Sequence, residues 1–106
     1  MPARRVLDDR ELAFELIRKA NERLVTDLEE IQSAVDSSEM DQVKKLAHRL
    51  KGTAGNLSAE ALRIACEKLE KAGGAGDIEE TVICHDAFIA AARDFQNAAK
   101  ALAGVA

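Results

Sequence analysis

The sequence predicts an all-α protein, folded as an antiparallel up-down four-helix bundle. Three observations carry that expectation. Apolar residues recur three and four apart through four successive segments, the period of a buried helical face. The single proline lies at position 2 and the glycines are confined to a few places, so the segments run without breakers. No stretch of useful length alternates apolar with polar as a half-buried strand would. Short connections between such helices favour antiparallel neighbours. At 106 residues the chain is expected to form one domain, residues 1–106.

Residues 1–7 read as a lead-in segment. Asp8 then has the character of an N-cap, with Glu11 three residues on as in a capping box. Leu12, Leu16, Ala20, Leu24, Leu28, Ile31 and Val35 follow as one apolar stripe of a first helix about 28 residues long, with Asn21 as the place where it could kink. Asp36-Ser37-Ser38 breaks the pattern, and Ser38 with Asp41 predicts the cap of a second helix. Val43, Leu46, Ala47, Leu50, Ala54 and Leu57 form its buried face, and Gly55-Asn56 its end. Ser58 is expected to cap a third helix with Leu62, Ala65, Cys66 and Leu69 inward. Gly73-Gly74-Ala75-Gly76 reads as the end of that helix and the most flexible loop. Asp77 with Glu80 forms a further capping box. A last helix of about 26 residues carries Ile78, Val82, Phe88, Ile89, Ala92, Phe95, Ala99 and Leu102 as its stripe. Its Ala87, Ala90, Ala91 and Ala98 suit close packing, or less readily a partner surface.

Composition removes several function classes. No apolar run approaches the roughly 18 residues of a membrane span. Arg4 and Arg5 are followed by no apolar segment of the secretory kind, so a cytoplasmic location is the default. Cys66 and Cys84 have no CxxC spacing and read as free thiols in a reducing compartment. No phosphate-binding GxxxxGK[ST] or GxGxxG motif is present, and an ATP-binding kinase domain would not fit.

The formal net charge is −4, yet residues 44–51 hold Lys44, Lys45, Arg49 and Lys51 and no acid. A basic island on an acidic domain fits an anionic partner site; a plain solvated face is the alternative. Nucleic acid fits poorly, because the patch is small and no aromatics interleave for base stacking.

His48 stands in this island. On a helical wheel it lies roughly 140° from Val43, well off the apolar stripe. Lys44 precedes it by a turn; Lys51 and Gly52 follow at i+3 and i+4, its surface neighbours. A glycine inside a helix costs about 0.8–1 kcal/mol relative to alanine. Gly52 on the polar side leaves one flank of the imidazole open to close approach; its position argues against a role in helix packing. Gly55 continues the same open stripe. His85, by contrast, lies near an apolar stripe and reads as a partly buried histidine hydrogen-bonded to a neighbouring helix. A metal site built from Cys66, Cys84 and His85 would need adjacent residues about 100° apart to converge, so none is expected.

Ala47-His48-Arg49-Leu50-Lys51-Gly52-Thr53-Ala54-Gly55-Asn56-Leu57 resembles the core motif of histidine-containing phosphotransfer (HPt) domains of two-component phosphorelays. Weaker likeness runs on through Leu62, Cys66, Leu69-Glu70 and the Gly76-Asp77 turn. One departure stands out: the family usually has glycine where this chain has Ser58. The resemblance implies that His48 is the phosphoacceptor, with Lys51 first and Lys44 second in stabilising the phosphoryl group. Gly52, Gly55, Arg49 and Lys45 would serve partner access. It implies a carrier rather than an enzyme, without a cofactor of its own. The partners would be a response-regulator receiver domain, which supplies Mg²⁺, and a hybrid histidine kinase. A monomer is expected, although the Ala-rich last helix offers a pairing surface. The alternative is a helical docking module that binds a receiver or kinase without carrying phosphate.

Overall fold

The computed structural model of the chain describes the backbone of residues 2–105 and the side chains of residues 11–102. Four helices follow one another: α1 (Pro2–Asp36), α2 (Met40–Asn56), α3 (Glu60–Ala75) and α4 (Ile78–Val105). Each packs on the next and α4 closes on α1, an antiparallel up-down bundle as the periodicity predicts.

α1 begins at Pro2, so the segment expected as a lead-in lies within the helix, and Asp8 is not its cap. Proline suits the first helical position, and no breaker follows it. The side chain of Asp8, and with it the proposed box to Glu11, lies outside the described residues. α1 passes Asn21 as one continuous helix.

Three connections share one construction. Ser38, Ser58 and Gly76 adopt left-handed backbone, with φ of 55°, 57° and 70°. After each, the next amide reaches back five residues: Glu39 N–H to Ala34 O at 2.9 Å, Ala59 N–H to Ala54 O at 2.9 Å, and Asp77 N–H to Ala72 O at 3.3 Å. These are Schellman closures, which satisfy carbonyls orphaned at a helix end. Ser38 and Ser58 therefore close α1 and α2 rather than cap α2 and α3 as expected. The cap positions fall one residue later, on Glu39 and Ala59, and neither makes a side-chain cap bond. At α4 the expected cap is half present. Asp77 Oδ1 accepts the Glu80 N–H at 3.0 Å, whereas the Asp77 N–H is already committed to Ala72.

Gly73 and Gly74 are helical, not loop. Gly73 is buried, and a Cβ there would stand 3.2 Å from Met40 O, Lys44 N and Val43 Cγ1. That hydrogen-for-methyl difference lets α3 approach the first turn of α2.

Leu24, Ile31, Val43, Leu50, Leu69 and Phe88 sit in the core. At ~1.5 Å per residue α2 and α3 span about 25 Å, half of α1. They cannot reach the outer half of α1, so Leu12 and Leu16 of the expected stripe are 56% and 50% exposed. On α4 the buried face is Thr81, Cys84, His85, Phe88 and Ala92, rotated from the expected stripe. Ile78, Val82 and Leu102 are left exposed. Thr81 can be buried because its hydroxyl donates to Asp77 O at 2.6 Å.

Candidate functional site

The site is assembled by the α2–α3 pair. The buried face of α2, made of Val43, Leu46, Ala47, Leu50 and Ala54, turns His48 outward, and its side chain is 67% exposed. α3 runs antiparallel alongside and brings Glu70 opposite His48.

Glu70 bridges His48 and Lys51. Its Oε2 lies 2.7 Å from His48 Nδ1, and its Oε1 accepts a hydrogen bond from Lys51 Nζ at 2.6 Å. The Lys51 ammonium, and then the His48 contact, hold the Glu70 carboxyl below its ordinary value of 4.5 against the opposing effect of burial. A carboxylate can only accept. The short contact therefore places a proton on Nδ1, which in the neutral ring leaves the Nε2 lone pair free. Glu70 is the residue sequence reasoning passed over. In the sequence it belongs only to the Leu69-Glu70 pair, and its place opposite His48 follows from the register of two helices.

Asp41, Lys44, Lys45, His48 and Glu70 line a shallow cavity of about 440 Å³. Neither Lys44 nor Lys45 has an ion-pair partner among the described residues. Gly52 has open space where a Cβ would stand. Gly55 is exposed as well, with the Arg63 Cδ 3.7 Å from where a Cβ would stand. The remaining expected access residue faces elsewhere. Arg49 points to α1, where its Nη2 donates to Asp27 Oδ1 at 3.1 Å and lies 3.5 Å from Glu30 Oε2. Asp27 is buried, so Arg49 satisfies an otherwise isolated carboxylate and ties α2 to α1.

His85 is buried, and its Nε2 has no hydrogen-bond partner, contrary to the expected bond to a neighbouring helix. Its ring packs instead at 6.1 Å from that of Phe88. Burial lowers its pKa from the ordinary 6.5, partly opposed by Asp86 and Asp36. Cys66 and Cys84 are free and buried, and burial pushes the Cys66 thiol up to about 12. Among the described residues no three of His, Cys, Asp and Glu gather as metal ligands, and no helix is long and apolar enough to cross a membrane.

A family model described as Hpt domain matches residues 15–103. No curated protein and no solved structure matches the chain.

Proposed function

The chain belongs to the Hpt domain family, whose members take part in phosphotransfer in two-component phosphorelays, and from that premise we propose that His48 is its phosphoacceptor. The observation that carries the reading is an exposed imidazole whose Nδ1–H is held by Glu70 at 2.7 Å, beside a glycine with no neighbour.

The Nε2 lone pair of His48 attacks the phosphorus of an aspartyl phosphate on a receiver domain. The Nε2–P bond forms as the acyl P–O bond breaks, and the aspartate leaves as a carboxylate. The ring gains positive charge and keeps its Nδ1 proton, which the anionic Glu70 stabilises. Transfer of this kind depends on positioning and on neutralising charge. Lys44 supplies a cation on the turn before His48, and Lys51, on the turn after, one held on Glu70. Gly52 leaves room for the partner's loops, and Lys45 adds to the positive rim. The receiver would bring Mg²⁺ and its acidic pocket, so this chain acts as a carrier and not as an enzyme in its own right. The same step in reverse passes the phosphoryl group to a second receiver, and a hybrid histidine kinase is the natural upstream source.

The test is phosphotransfer from a labelled phosphorylated receiver to the wild type and to His48→Gln. An acid-labile, alkali-stable label on the wild type alone is expected. Label on both proteins would remove His48 from the reading. Binding of a receiver without transfer to either would support the phosphate-independent docking module instead.

A further inference from the structure

Gly74 has no structural need to be glycine. Its φ is not left-handed, and it lies within α3, where glycine is disfavoured relative to alanine. It is exposed, and the atoms of other elements nearest to a Cβ built on it are side-chain, not backbone. Its adjoining Gly73, by contrast, is obliged by contact with the α2 backbone. What a Gly74 Cβ would meet is one side chain: Lys44, with Cδ at 3.4 Å, Cε at 3.7 Å and Cγ at 3.9 Å. The stem of Lys44 lies across the bare backbone of Gly74, one turn of α3 beyond Glu70.

The two lysines flanking His48 also differ in state. Lys51 is half-buried and its ammonium is committed to Glu70 at 2.6 Å. Lys44 lines the cavity beside His48 and has no ion-pair partner among the described residues. Bringing Lys51 to a phosphoryl group would cost the Lys51–Glu70 contact and loosen the carboxylate that orients the ring. Lys44 can serve without disturbing it.

We propose that Lys44, seated on Gly74, is the ammonium that meets the phosphoryl group on His48. Gly74 is its positioning residue, and Lys51 acts mainly through Glu70. This rests on His48 being the phosphoacceptor. A long side chain with many rotamers loses less entropy on binding if its stem already lies in a groove. The seat thus holds a cation at the cavity without neutralising it.

The test is Gly74→Leu, which fills the seat with a good helix former and should leave thermal stability equal or higher. Transfer from a phosphorylated receiver is expected to slow about tenfold, the effect of losing one charged hydrogen bond. Hydrolysis of the isolated phosphohistidine should change by a similar factor, with no partner present. Lys44→Ala should reproduce both effects, and adding Gly74→Leu to Lys44→Ala should change nothing more. Lys51→Ala should alter the ring tautomer seen by ¹⁵N NMR, whereas Lys44→Ala should not. Unchanged transfer and hydrolysis in Gly74→Leu, with His48→Gln still inactive, would overturn the proposal and leave the phosphoacceptor reading standing. So would an equal slowing by Gly74→Leu in the Lys44→Ala background, which would mark a steric effect on docking. Label on His48→Gln would overturn the underlying reading itself.

Discussion

His48 and Glu70 stand 22 residues apart in sequence, on different helices, and 2.7 Å apart in space. Glu70→Ala should free the ring to populate both neutral tautomers and slow single-turnover transfer about tenfold. Glu70→Gln keeps an acceptor and should lose less. ¹⁵N NMR of the imidazole reads the tautomer directly. An unchanged Nδ1–H population in Glu70→Ala would mean that something else orients the ring. The pair also has a pH signature. Because the folded-state pKa of Glu70 lies below its ordinary 4.5, the stability it contributes is present above that value. It is lost as pH falls through the lower folded value.

Ser58 carries a positive φ of 57° at the closure of α2, a conformation that costs an L-residue with a Cβ and suits glycine. Ser58→Gly should raise stability by about 0.5–1 kcal/mol. Ser38→Gly should do the same at α1, and at this separation the two gains should add. Urea unfolding midpoints check both. A loss in either variant would show that the serine hydroxyl contributes more than the backbone strain costs.

Arg49→Ala should leave Asp27 buried without its guanidinium and cost about 1–3 kcal/mol. Phosphotransfer at His48 should stay within about twofold of the wild type under conditions where the variant is folded. A large rate loss without a stability loss would return Arg49 to the partner interface.

His85 is buried and its Nε2 unpartnered, so the folded state resists its protonation. The sign follows from linkage. Its folded pKa is below the ordinary 6.5, so the unfolded chain binds the proton more readily and stability falls as pH drops below that value. Asp86 and Asp36 moderate the loss. His85→Leu should flatten the pH dependence of the melting temperature between about pH 7 and pH 5. A wild-type melting temperature that is level across this interval would contradict the burial argument.

The four helices and the outward face of His48 were legible in the sequence because both depend on the 3.6-residue period alone. What escaped depends on neighbours. Ser38 and Ser58 are good cap residues by type, and only the backbone assigns them to the preceding helix. Gly73 and Gly74 read as a loop because glycine disfavours helix; the contact of Gly73 with Met40, Val43 and Lys44 reverses that inference. The stripe on α4 lies part of a turn from the apolar pattern, since Thr81 and His85 are polar by type yet buried. Leu12 and Leu16 carry the right period but lie beyond the reach of α2 and α3. Glu70 and Arg49 belong to pairings between helices, which no single-helix pattern contains.

His48, Lys51, Lys44, Glu70 and Gly74 all belong to one antiparallel hairpin, α2 with α3. The candidate site is thus encoded in a run of adjacent sequence with a short connection, while α1 and α4 buttress it from behind. The architecture is modular in a strict sense. Residues on the far sides of α1 and α4 can change in identity with little consequence for the imidazole. A two-residue shift in the register of the α2–α3 pair would separate His48 from Glu70 altogether. Sequence drift should therefore be tolerated unevenly, with wide freedom on the buttress and little in the hairpin.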